Sequence, residues 1–108
     1  MKSVLYINYK DSDKRTRIEG ICALKRVRIE AMPSPEESGL PLDAELLVFR
    51  GFDDAGLKDF LQALRAFQAQ VSLKCVETET NRGWPLAVLY GELRREHAAM
   101  QALQYVET

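Results

Sequence analysis

Two cysteines, one histidine and one tryptophan stand among the 108 residues of this chain, and their scarcity excludes several chemistries at once. Cys22 and Cys75 have no C-x-x-C spacing and no neighbouring histidine, so they read as buried free thiols behaving as small hydrophobes. A zinc site lacks ligands, because His97 is the sole imidazole. No G-x-G-x-x-G or P-loop pattern offers a phosphate cradle. Long apolar runs are missing too. The stretch from Val4 to Tyr9 is interrupted by Asn8 and followed by Lys10 and Asp11, far short of a signal peptide or a membrane span. A cytoplasmic protein is the expectation. Charge of one sign is likewise in short supply: fifteen Lys plus Arg against sixteen Asp plus Glu leave a net charge of -1, with no overall drive toward DNA or an anionic membrane.

What is present fits one folded α/β domain over residues 1–108, with 46% hydrophobic and 29% charged residues. Val4 to Tyr9 is apolar on both alternate sets, which predicts a central strand covered on both faces. Ser12 is placed to cap a helix from about Asp13 to Leu24, with Ile18, Ile21, Cys22 and Leu24 as its apolar stripe. Arg26 to Met32 alternates like an edge strand. Residues 33–41 carry three of the four prolines and form a loop, at most with one helical turn capped by Ser34 and begun by Pro35; this is the expected mobile element. Glu45 to Phe49 is a second doubly apolar, hence central, strand. Asp53 caps a strongly amphipathic helix through Leu57, Phe60, Leu61, Leu64 and Phe67. Val71 to Val76 reads as the other edge, and Pro85 opens a last helix to about Tyr105 with Leu86, Leu89, Tyr90, Leu93, His97 and Met100 on one face. No internal repeat is visible.

The strand-helix-strand-strand-helix-strand-helix order fits a small doubly wound, mostly parallel four-stranded sheet of order 2-1-3-4, or alternatively a ferredoxin-like α+β sheet with a hairpin between the second and third strands. Double coverage of the two central strands favours the first. In such a sheet ligands bind beyond the carboxyl ends of the strands, which would bring Tyr9, Arg50 and Phe52 to one rim, flanked by Thr78 to Arg82. Asp11, Asp13, Asp53 and Asp54 would also crowd that rim, but as caps and dipole partners rather than magnesium ligands. In the turn, Thr80, Asn81, Arg82 and Trp84 have two readings. They grip a ligand or partner through an amide, a guanidinium fork and an indole, or they lock the turn while Trp84 plugs the core. His97 has no nucleophile or orienting carboxylate in evident reach, so it reads as a packed or interface histidine.

From Leu46 onward the chain resembles a small bacterial family known as domain of unknown function 3783. The resembling residues are Leu47-Val48-Phe49-Arg50-Gly51-Phe52, then Leu57, Phe60, Leu61 and Leu64, then Leu73-Lys74 with Thr78, Thr80-Asn81-Arg82 and Trp84, and finally Leu93, Glu96-His97 and Met100. The T-x-T-N-x-x-W element followed by a helix ending in E-H is its most specific part. Where members usually place Thr or Ser after the tryptophan, this chain has Pro85. The resemblance implies a fold unit and a candidate surface; it implies no reaction.

The expectation is therefore a binding module without a cofactor, metal or catalytic set, recognising an unknown protein or small molecule through Tyr9, Arg50, Phe52, Thr80, Asn81, Arg82, Trp84 and His97. An enzyme or accessory subunit using the same pocket is the alternative. A third reading is weak RNA binding through Lys14, Arg15, Arg17, Lys25, Arg26 and Arg28. A homodimer through the long last helix is a further expectation.

Overall fold

The computed structural model describes residues 1–106, with side-chain surroundings through Met100. Its elements are β1 (Ser3–Asn8), α1 (Ser12–Lys25), β2 (Arg28–Ile29), α2 (Pro35–Ser38), β3 (Glu45–Arg50), α3 (Asp54–Ala66), β4 (Lys74–Val76) and α4 (Leu86–Val106). The four strands form one mixed sheet of order β2-β1-β3-β4, so β1 and β3 are central as expected. On one face Val4, Tyr6, Leu47 and Phe49 pack against α1 and α3 through Ile18, Ile21, Cys22, Phe60 and Leu64. On the other, Leu5, Ile7, Leu46 and Val48 meet Leu40, Ala44 and the α4 residues Leu86, Leu89, Tyr90 and Leu93. Period-two burial on both faces of β1 and β3 is why neither strand alternates in sequence.

β1 pairs parallel with β2 and β3 parallel with β4, but β1 and β3 are antiparallel, with Ser3 opposite Arg50 and Asn8 opposite Glu45. β2 and β3 are not neighbours, which removes the ferredoxin-like alternative. The reversal follows from the connection. A parallel β3 would require residues 30–44 to carry the chain back to the starting end of β1, a task that normally takes a full helix. These residues contain only the single turn α2, so the chain crosses to the near end and β3 runs the other way.

That arrangement gives the molecule an internal approximate two-fold axis, normal to the sheet between β1 and β3. Asp11 and Asp53 are both N-caps, at an offset of 42 (53 minus 11). The same offset relates the buried trio Ile18, Ile21 and Cys22 to Phe60, Ala63 and Leu64. It also relates the left-handed residues Arg26 (φ 58°) and Gln68 (φ 55°), and the 2.8 Å bonds from Val27 N to Cys22 O and from Ala69 N to Leu64 O. The strands are out of step with it by one residue, since Val4 and Tyr6 face the helices on β1 while Leu47 and Phe49 do so on β3. The repeat is invisible in sequence because burial and turn geometry, not residue identity, are what recur.

Several boundaries move. α1 is capped by Asp11, whose carboxylate accepts from Lys14 N at 3.0 Å, and not by Ser12; Asn8 Oδ1 accepts from the amides of Lys10 and Asp11 and turns the chain one residue early. β2 is reduced to two residues because Arg26 is spent on the left-handed C-cap of α1. β4 begins only at Lys74. The proline segment is pinned: Ser34 and Glu37 form a capping box, Leu40 is buried, and the Tyr9 hydroxyl donates to Pro33 O and meets Ser38 Oγ.

Candidate functional site

The antiparallel centre splits the expected rim in two. Tyr9 follows the carboxyl end of β1, while Arg50 ends β3 at the level of Ser3, so the two are separated by about 20 Å, six residues at about 3.3 Å each. Tyr9 is a structural clamp on the proline segment and no part of a site with Arg50. The acidic helix starts separate as well: Asp11 and Asp13 lie at the Tyr9 end and Asp53 and Asp54 at the Arg50 end. His97 also falls outside the rim. It borders Ser72, Leu73, Glu96 and Met100 near the start of β4, whereas Asn81 and Arg82 follow its end.

At the Arg50 end the remaining residues do come together. Arg50 Nη1 donates to Glu30 Oε1 at 2.5 Å, and Ser3 Oγ donates to the other oxygen of that carboxylate at 3.1 Å. Glu77, one residue past β4, lies 2.9 Å from Arg50 Nε through Oε2 and 3.3 Å from Arg82 Nε through Oε1. Arg50 Nε is buried, and its N–H points away from the carboxylate line, so this contact is a charge pairing without an aligned hydrogen bond. The four groups cancel in charge, which disfavours a simple anion site.

Asn81 holds the turn. Its Oδ1 accepts from Thr78 N at 2.8 Å, its own amide donates to Thr78 Oγ1 at 3.2 Å, and its Nδ2 donates to Val76 O at 3.3 Å. This is the turn-locking role, reached by side chain to backbone bonds. Thr80 is exposed at the turn's apex. Trp84 is not the core plug that its size invites: 39% of its surface is exposed, and Phe49, Phe60 and Tyr6 fill the core instead. Arg82 projects further, with 69% of its side chain in solvent. Phe52 is half-buried in an edge-to-face cluster, 5.3 Å from Phe49 and 5.8 Å from Phe60 between ring centres, with the Lys2 ammonium 5.9 Å above its own ring.

A second polar cluster, at the Tyr9 end, escaped the sequence reading. The buried Tyr6 hydroxyl donates to Glu45 Oε2 at 2.5 Å and accepts from Asn8 Nδ2 at 2.9 Å, while Lys14 Nζ approaches the same Glu45 oxygen at 2.7 Å. Burial, then the Glu45 carboxylate, pushes the phenol up beyond the range in which it ionises in water. Its signal was a tyrosine inside a doubly buried strand, which must find a polar partner. Three of the six basic residues of the expected RNA face are also engaged: Lys14 with Glu45, Arg15 with Tyr6 O, and Lys25 with Asp59 at 3.1 Å. Cys22 and Cys75 are both free thiols, the first buried and the second half-buried. Among the described residues no helix is long and apolar enough to cross a membrane.

Comparison with known proteins returned no match among curated proteins and none among solved structures. A family model does match, over residues 45–100, which comprise β3, α3, β4 and the first two-thirds of α4. The match contains the second half of the approximate two-fold together with the Arg50 rim and the Asn81 turn, and it leaves β1, α1 and β2 outside. With half of its length matched, this chain belongs to the family described as domain of unknown function (DUF3783).

Proposed function

We propose that the protein is a non-catalytic binding module of the cytoplasm whose contact surface is the β3/β4 carboxyl rim, formed by Arg50, Phe52, Thr80, Asn81, Arg82 and Trp84. One observation carries this reading: an exposed arginine and a part-exposed tryptophan stand two residues apart on a turn that Asn81 and Glu77 hold rigid. Arg and Trp are the residue types that dominate binding energy at protein interfaces, and a rigid turn spares the entropy of ordering them. The rim offers no nucleophile beside a base, which argues for recognition over catalysis. A protein is the favoured partner because the side chains project outward from a turn instead of lining a cavity. RNA binding is disfavoured by the ion pairs and hydrogen bonds that already occupy Lys14, Arg15 and Lys25.

The test is affinity capture from a cell extract with wild-type protein, Arg82→Ala and Trp84→Ala, alongside a thermal-shift screen of cytosolic metabolites. A protein retained by the wild type and lost by both variants supports the reading. A metabolite that raises the Tm of the wild type but not of Arg82→Ala would make the ligand a small molecule at the same rim. Partners or metabolites that bind all three proteins alike would refute it. A self-associated form is a second reading, favoured by Met100, which is 59% exposed on the α4 stripe; a mass unchanged by Met100→Glu would remove it.

A further inference from the structure

Glu96, His97 and Met100 are carried by the stretch that resembles the family, yet the Arg82 rim uses none of them. They stand on α4, with His97 and Met100 three positions apart and Glu96 and Met100 four, the two spacings that set helical side chains next to each other. All three line one depression of about 150 Å³, which Leu93 on α4 and Ser72, Leu73 and Lys74 at the start of β4 complete. Sites for metabolites run from about 300 Å³ upward, so this space suits something smaller.

The donors gathered there are a thioether, an imidazole and a carboxylate. Thioether sulfur is a soft, uncharged ligand that magnesium and calcium pass over and that Cu(I) selects, and imidazole serves copper as well. The scarcity of imidazole that excludes zinc, with its four donors, does not exclude Cu(I), which two donors can hold. The charges nearby leave room for a cation. Lys74 Nζ donates to Val71 O at 2.5 Å. Val71 packs on the α3 face of the sheet and Leu73 on the α4 face, so strand alternation turns the Lys74 side chain away from the depression. Arg95 is held by Glu92 at 2.8 Å, and Arg94 lies 5.7 Å from the centre of the Tyr90 ring. Glu96 supplies the negative charge of the lining.

We propose that the depression between α4 and β4 binds a soft monovalent cation, Cu(I), with the His97 imidazole and the Met100 sulfur as ligands and the Glu96 carboxylate balancing its charge. No residue of the Arg82–Trp84 rim takes part, so this reading and the rim reading fail separately.

The probe is Ag(I), supplied as the nitrate in chloride-free buffer, because it takes the same ligands as Cu(I) and keeps its oxidation state in air. The whole chain is used with Cys75→Ser, which removes the half-buried thiol as a competing soft donor; Cys22 is enclosed in the core. In nuclear magnetic resonance the Met100 methyl and His97 ring signals should shift together and saturate at one ion per chain. His97→Ala and Met100→Leu should each weaken binding by at least about tenfold, the least that loss of a group orienting a metal ligand costs. Glu96→Gln should weaken it by about fivefold, the worth of one opposite charge at contact distance in water. All three side chains are exposed, so the circular dichroism of these variants should match that of the parent. Zn(II) at equal concentration should not displace Ag(I). Absence of saturable binding, half an ion per chain, affinity that survives His97→Ala or Met100→Leu, or displacement by Zn(II) overturns the proposal.

Discussion

Arg50 and Arg82 share one carboxylate: each places its Nε against a different oxygen of Glu77, at 2.9 and 3.3 Å. The two contacts are unequal in kind. Arg50 is anchored a second time by Glu30 and its Nε is buried, whereas Arg82 is mostly in solvent. Glu77→Gln should therefore lower stability by about 1–2 kcal/mol, because the part-buried Arg50 keeps only one of its two carboxylates, while Arg82→Ala stays within about 0.5 kcal/mol of wild type. Urea unfolding of both variants checks this. Equal losses would show that the exposed pairing matters as much as the buried one.

Tyr9→Phe removes the hydroxyl that joins Pro33 O and Ser38 Oγ. The expected cost is about 1 kcal/mol. Faster amide exchange over residues 34–40 should accompany it, with no change at Asn81 or Arg82, since those lie at the other end of the sheet. Affinity for any ligand bound at the Arg82 rim should be unaltered.

Gly51 has φ 75°, and a Cβ there would meet Met1 O at 2.7 Å, so Gly51→Ala should destabilise by roughly 1–3 kcal/mol. Gly20 sits inside α1 with open space around it. Gly20→Ala should stabilise by about 0.5–1 kcal/mol. Thermal unfolding of the two variants should move Tm in opposite directions.

Burial, with a smaller contribution from Glu19, pushes the Cys22 thiol from its ordinary value near 9 up to about 11. A group whose pKa is raised on folding contributes stability that is whole below the unfolded value and is lost as pH climbs through the folded one. Stability should accordingly fall between about pH 9 and 11, by up to about 3 kcal/mol across that window, and Cys75, raised chiefly by burial, adds in the same direction. Denaturant midpoints for wild type and Cys22→Ala across that window test it: the variant should be weaker at pH 7 yet flatter with pH.

The amphipathic stripe of α3 and the unbroken apolarity of β1 and β3 carried most of the architecture, including the strand order. The capping box at Ser34 and the two Asp caps follow from short-range chemistry and lie within a few residues of their expected places. The rim did not survive in the same way. Arg50, Phe52, Asn81 and Arg82 follow the same ends of β3 and β4 because those two strands are parallel, as the helix between them requires. Tyr9 was drawn in by assuming that β1 ran the same way, His97 stands on α4 beside the start of β4, and Trp84, read either as a ligand contact or as a core plug, is part-exposed because Phe49, Phe60 and Tyr6 fill the core.

Which stretches fold into helices and strands, which faces are buried and which strands lie inside were thus written in residue order, because apolar periodicity and capping act over a few positions. The direction of β3 relative to β1 was not, since a strand apolar on both faces pairs equally well either way round. Packing chose it, through a connection with no helix long enough to return the chain, and that choice separated the two ends of the sheet and exposed the Arg82 turn.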